Sequence, residues 1–288
     1  MGDVSAAAAG AIVIGGDLVV NRLGFGAMRL CGPGIWGEPD DPPAARTVLR
    51  RVVELGVNLI DTADAYGPEV NERQIAGALH PYPDGLVIAT KGSGTRESRE
   101  HWGVDGRPQH LKAACEASLG RLHLDRIDLY QLHGVDSEVP IEDSVGALAE
   151  LRAAGKIRHI GLSNVNTDEL ARARRVAPVV AVQNSYNVFD RRWDDVLAVC
   201  ERDRLAFLAY FPLGAGWRAT RPAPALETVA IRRGATPMQI ALAWLLQRSQ
   251  VLLPIPGTSS PTHLEENVAA ASLTLDSADI AALEARAD

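Results

Sequence analysis

The chain has 288 residues, with 47% hydrophobic and 23% charged side chains, which is the balance of an ordinary globular protein long enough to bury a full core. Its formal net charge of −7 argues against a general nucleic-acid or acidic-membrane partner. No stretch approaches the ~18 apolar residues of a membrane span, and Asp3 stands where a secretory signal would carry Lys or Arg. The cysteines Cys31, Cys115 and Cys200 are odd in number and widely spaced, with no CxxC. That pattern speaks against a disulfide framework and against a metal site, and it suits a reducing compartment. A soluble, cytoplasmic protein without a metal is expected.

Along the chain, the first ~10 residues read as a flexible tail. A hairpin follows, with Ile12 to Ile14 and Leu18 to Val20 flanking the tight turn Gly15-Gly16-Asp17. Then come eight short apolar runs: 23-LGFGAM, 57-VNLID, 86-LVIATK, 127-IDLYQLH, 159-HIGLSN, 179-VVAVQN, 205-LAFLAY and 251-VLLPIP. They lack strict polar alternation, as strands buried on both faces of a parallel sheet do. Amphipathic stretches lie between them, among them 44-AARTVLRRVVEL, 108-PQHLKAACEASLGRL, 141-IEDSVGALAELRAA and 237-PMQIALAWLLQR. Pro108 and Pro237 suit first helical turns, and Thr236 suits an N-cap. Gly56 and Gly155 suit left-handed C-terminal caps. A terminal helix is expected over 277-SADIAALEARA, capped by Asp276 or Ser277.

Eight strand–helix units in this length predict an α/β fold: one (β/α)8 TIM-barrel domain over residues 1–288, with the N-terminal hairpin closing its bottom. An open doubly wound sheet is the alternative architecture. It would want a glycine-rich phosphate turn after its first strand, but 24-GFGAMR lacks the third glycine of that motif.

The polar residues of these runs gather at their C-terminal ends: Asp61, Lys91, His133, Ser163-Asn164, Gln183-Asn184 and Tyr210. Barrel active sites form at that face because the strand ends and following loops converge there. Asp61, Lys91 and Tyr66 form a self-consistent set. A phenol is a weak acid, with a reference pKa of ~10. A neighbouring ammonium would lower that value, and a carboxylate would keep the ammonium charged. His133 adds an imidazole able to hydrogen-bond a substrate oxygen or relay a proton.

At these residues the chain resembles the aldo-keto reductase family, and bacterial members most closely. The likeness runs over about residues 12 to 275, through NLIDTADAYG, VIATKG, DLYQLH, HIGLSN, VQNSYN, AYFPLGAG and IPGTSSPTHLEEN in that order. The resemblance implies a catalytic tetrad of Asp61, Tyr66, Lys91 and His133. Tyr66 would be the general acid in carbonyl reduction, with hydride arriving from C4 of an NADP(H) nicotinamide. It further implies that Ser163, Asn164 and Gln183 hold the carboxamide and that Tyr210 stacks on the ring. Gly26, Met28, Phe211, Leu213, Gly214 and Gly216 would run along the cofactor. Gly257, Thr258, Ser259 and His263 would meet the adenosine phosphate, and Glu266 and Asn267 the adenine.

Two departures from the family pattern bear on the cofactor. Gly257 stands where many members have Lys, and His263 where many have Arg. NADP(H) is still expected to be preferred, by a reduced margin and with NAD(H) possible, and its affinity is expected to fall as pH rises past ~7 if His263 meets a 2′-phosphate. The short C-terminus predicts an open substrate site, with Trp36 and Trp102, together with Trp217, as candidate substrate contacts. The resemblance implies a small-molecule carbonyl substrate and leaves the oligomeric state open, a monomer included. Two other readings stand beside it. One is an NADP(H)-binding regulatory subunit with little turnover, as in the potassium-channel β subunits. The other is a barrel enzyme for a phosphorylated sugar, which would leave Tyr66, Lys91 and Tyr210 without a role.

Overall fold

The structure, a computed structural model, describes residues 4–214 and 224–285. It opens with an antiparallel hairpin, β1 (Ala11–Ile14) and β2 (Leu18–Asn21), in which Ile14 pairs with Leu18. Gly15 and Gly16 both take positive φ between them, the conformation a tight hairpin turn demands. The elements that follow are β3 (Phe25–Gly26), α1 (Pro42–Glu54), β4 (Leu59–Asp61), α2 (Val70–Leu79), β5 (Val87–Gly92), β6 (Gly94–Arg96), β7 (Trp102–Val104) and α3 (Pro108–Leu122). After them come β8 (Ile127–Leu132), α4 (Ile141–Ala153), β9 (Ile157–Ser163), α5 (Thr167–Val176), β10 (Val179–Ser185), α6 (Asp194–Asp203) and β11 (Ala206–Tyr210). The chain finishes with α7 (Pro224–Arg233), α8 (Pro237–Arg248), β12 (Leu252–Pro254), α9 (Pro261–Ala269) and α10 (Ser277–Glu284).

Eight strands pair in parallel in the order β12-β11-β10-β9-β8-β5-β4-β3. The ring closes where the Gly24 and Gly26 amides donate to the Pro254 and Pro256 carbonyls at 3.0 and 3.2 Å. The architecture is therefore the (β/α)8 barrel, and each of the eight apolar runs supplies one barrel strand. Glycine is required at this seam: a Cβ on Gly26 would sit 2.7 Å from the Ile255 carbonyl oxygen.

Two apolar layers hold the ring. Outside, α3 to α8 pack on the sheet through residues such as Leu148, Val196 and the fully buried Trp244. Inside, Leu59, Val87, Ala89, Leu129, Ala181, Leu208 and Leu253 pack together, and Ile14, Leu18 and Val20 of the hairpin plug them from below. The hairpin tip is fixed by charge, since Asp17 meets His159 at 2.6 Å and Arg158 at 2.7 Å. Polar side chains stay at the bottom in the Asp17–His159 contact and the buried Arg22, and gather again at the top around Asp61, Lys91 and Gln183.

Helix ends follow the sequence chemistry. Thr236 and Gln239 form a capping box at α8, Asp276 caps α10, and Gly56 and Gly155 take positive φ just past α1 and α4. Residues 5–10 depart from the expected tail. Ser5 caps a short 3-10 turn over Ala6–Ala9, the Ala6 amide donates to the Leu55 carbonyl at 2.8 Å, and Ala6 is fully buried. The small Ala6 side chain lets this turn pack at the end of α1 while Ala7 and Ala8 stay exposed, a packing option that composition alone does not reveal. The loop after β5 also carries its own hairpin, β6–β7, over the barrel mouth.

Candidate active site

β4 ends at Asp61, β5 carries Lys91 as its penultimate residue, and the loop after β4 returns Tyr66 to the same spot. The Lys91 ammonium donates to Asp61 Oδ2 at 2.6 Å, to the Thr62 carbonyl at 2.8 Å and to the Tyr66 hydroxyl at 3.3 Å. Asp61 Oδ1 accepts from Gln183 Nε2 at 2.7 Å and from Gln131 Nε2 at 3.2 Å. Every strong donor and acceptor of this buried pair is engaged, which offsets the cost of removing two charges from water. The His133 ring stands edge-on to Tyr66, with centroids 5.7 Å apart.

The electrostatics correct one expectation. Burial pushes the Tyr66 phenol above its ordinary value, the Lys91 charge offsets only part of that rise, and Asp61 adds to it. The phenol is thus held as a neutral hydroxyl and not made unusually acidic. Burial pulls against the Lys91 ammonium, but Asp61 together with Tyr66 more than compensates, so the amine stays charged. Burial, helped by the Lys91 charge, pushes His133 down to about 3, so its ring is neutral at ordinary pH. Its Nδ1 is buried without a hydrogen-bond partner among the described residues.

These groups open into a cleft of about 470 Å³, lined by Asp61, Tyr66 and His133 together with Gly26, Met28, Trp102, Ser163, Asn164, Gln183, Tyr210, Phe211, Leu213, Gly214 and Gly257. One wall is a hydrogen-bonded set of neutral groups. The Tyr210 hydroxyl donates to Asn164 Oδ1 at 2.6 Å, and Asn164 Nδ2 donates to Ser163 Oγ at 3.1 Å and to the His133 carbonyl at 3.0 Å. Asn164 holds this position in the left-handed backbone region, which asparagine tolerates better than most residues.

Other candidates fall elsewhere. Thr258 and Ser259 line a second cavity of about 900 Å³ that adjoins the cleft through Met28, Arg29, Ile35, Trp102 and Gly257. His263, Glu266 and Asn267 lie on α9 and line neither cavity among the described residues. Trp36 lines neither as well: its ring packs on the Arg96 guanidinium at 5.3 Å, and Ile35 reaches the cleft in its place. Gly216 and Trp217 lie outside the described residues. Sequence reasoning missed Gln131, Ile35 and Arg29. For Gln131 a signal existed: Leu129, Gln131 and His133 alternate along one strand and so share its inward face.

A model of the aldo/keto reductase family matches residues 22–288. An uncharacterized oxidoreductase of Schizosaccharomyces pombe is 46% identical over 281 residues, covering 98% of this chain and 91% of its own. Pyridoxine 4-dehydrogenase of Escherichia coli is 45% identical over 276 residues, covering 93% and 96%. Among solved structures, an aldo-keto reductase of Klebsiella pneumoniae in complex with NADPH superposes with a TM-score of 0.81 at 27% identity, covering 95% of this chain and 93% of that one. With the barrel, the buried Asp61–Lys91–Tyr66 chain and these matches together, the chain belongs to the aldo/keto reductase family.

Proposed function

We propose that this protein reduces an aldehyde or ketone to an alcohol with NADPH, using Tyr66 as the proton donor at the barrel mouth. The observation that carries the reading is the buried chain Asp61–Lys91–Tyr66, which ends in a neutral hydroxyl facing a cleft. The donor set suits a nicotinamide. Ser163, Asn164 and Gln183 are neutral partners for a carboxamide, Gln183 gives its N–H groups to Asp61 and Gln131, and Tyr210 offers a ring beside them. NADPH bound there supplies the hydride.

The protein's part is to hold and deliver a proton. Tyr66 donates from its hydroxyl to the developing alkoxide. Lys91, kept charged by Asp61, stabilises the phenolate that remains. His133, neutral and with Nδ1 buried, is left with Nε2 to orient the substrate oxygen. Gly257, Thr258 and Ser259, ahead of the first turn of α9, line the second cavity with Arg29 and Arg99 and offer anion-binding groups for the adenosine end.

The regulatory-subunit reading is not favoured, because the named relatives are an oxidoreductase and a dehydrogenase. We place the enzyme in the cytoplasm, a setting its free cysteines suit. Among the described residues no helix is long and apolar enough to cross a membrane. The test is a carbonyl panel that includes pyridoxal, followed by NADPH absorbance, with Tyr66→Phe as control. Turnover that drops by about 10²–10⁴ in the variant supports the assignment; wild-type rates in the variant reject Tyr66 as the acid.

A further inference from the structure

Arg96 ends β6 and lies outside the cleft, yet it binds both segments that wall it. Its guanidinium sits 3.9 Å from the Trp102 ring centroid and 5.3 Å from that of Trp36, between the two indoles. Its N–H groups donate to the Ile35 carbonyl at 3.0 Å, Gly34 at 3.2 Å, Arg99 at 2.8 Å and Ser98 at 3.3 Å. No carboxylate pairs with it within 4.0 Å among the described residues. The cation is spent on ring faces and carbonyls, a use that suits a planar fork of donors and not a point charge.

The residues it holds are the ones that face the cleft. Ile35 lines it with φ at 57°, a left-handed conformation that a β-branched side chain strongly resists. The Ile35 carbonyl accepts a second bond from the Gly67 amide at 3.3 Å, one residue past Tyr66. Trp102 also lines the cleft, its ring edge-on to Tyr66 at 6.5 Å. A strained backbone that persists at a cleft wall is over-determined by its surroundings, and here Arg96 supplies one of the three hydrogen bonds to the Ile35 backbone, beside those of Gly67 and Gly32.

Building on the carbonyl-reductase reading, we infer that Arg96 is a positioning residue that latches the 32–37 loop to the β6–β7 hairpin, holding Ile35 and Trp102 as the wall that ring-bearing carbonyl substrates pack against. A small aliphatic aldehyde reaches Tyr66 without touching that wall. A ring-bearing one depends on it.

The test compares propanal with 4-nitrobenzaldehyde, at saturating NADPH, in wild type, Arg96→Ala and Arg96→Lys. In Arg96→Ala the KM for 4-nitrobenzaldehyde rises about tenfold, while its kcat, the propanal constants and the NADPH Kd stay within about twofold. Arg96→Lys, which keeps the charge but not the fork, recovers part of the loss. Acrylamide quenches tryptophan emission more strongly in Arg96→Ala, because Trp102 is released. Unchanged KM and quenching overturn the latch, and so does an equal loss for both aldehydes and for NADPH. If wild type turned over neither aldehyde, the carbonyl-reductase reading would fail, and quenching alone would decide the latch. If Arg96→Ala did not fold, Arg96→Lys would be read by the same criteria.

Discussion

The Lys91 ammonium and the Asp61 carboxylate stand 2.6 Å apart with both side chains almost wholly buried. Removing either partner leaves a charge in the barrel with nothing opposite it. Lys91→Met is therefore expected to destabilise by about 3–5 kcal/mol, and adding Asp61→Asn to it is expected to restore part of that. Neither change restores the rate, because the hydroxyl of Tyr66 has lost the cation that stabilises its conjugate base. Urea unfolding of the single and double variants measures the coupling; single effects that simply add would show that the two charges do not depend on each other.

The pH behaviour follows from the same neighbourhood. Reduction needs Tyr66 protonated, and burial holds its phenol above the ordinary range, so the acid form persists through neutral and mildly alkaline pH. His133, pushed down to about 3, changes no charge in that window. The kcat for reduction at saturating cofactor is thus expected to stay level between about pH 6 and 9 and to fall only beyond it. A midpoint near pH 7 in kcat would mean that another group carries the proton.

Behind Tyr66 lies an unequal pair of carboxyls, Glu72 and Asp64. Glu72 accepts from Thr90 Oγ1 and from Arg121 Nε, each at 2.6 Å. Asp64 has no such cation, and its Oδ1 is buried without a partner among the described residues. Burial, and then the nearby Glu72 charge, push Asp64 up to about 8. In the unfolded chain the group titrates near ~3.9. Between those values the native state binds the extra proton, so stability falls as pH rises through this window. Asp64→Asn keeps the shape and removes the titration. It is expected to stabilise by about 1 kcal/mol or more at pH 8, a Tm rise of ~2–4 °C, with a smaller gain at pH 5. An equal gain at both pH values would contradict the assignment of that proton.

The barrel was legible because a parallel strand buried on both faces leaves an uninterrupted apolar run, and eight such runs stand out between amphipathic helices. Asp61, Lys91 and His133 were legible because an ionisable side chain at the end of such a run has few reasons to be there. What the sequence hid depends on geometry beyond one element. Gln131 looks like a stray amide until its strand is set beside Asp61. Ile35 and Arg96 belong to loops whose meeting is fixed by backbone carbonyls, which every residue has. Trp36 was read as a substrate contact because it is aromatic, yet its ring is taken by Arg96. The acidity of Tyr66 was misjudged because sequence names the neighbouring charge but not the depth of burial that outweighs it.

The adenosine end makes the last prediction. Gly257, Thr258 and Ser259 face the second cavity beside Arg29 and Arg99, and His263 lies exposed in the first turn of α9. NADPH and NADH share every contact except the 2′-phosphate, so the ratio of their Kd values isolates that group. A His263 side chain that meets the 2′-phosphate contributes to that ratio alone, so His263→Ala is expected to reduce the preference for NADPH over NADH severalfold and to leave the NADH Kd unchanged. Fluorescence titration of both cofactors with wild type and His263→Ala checks it. An unchanged preference in the variant would assign the 2′-phosphate to Thr258, Ser259, backbone amides and the Arg29 and Arg99 guanidiniums that line the same cavity.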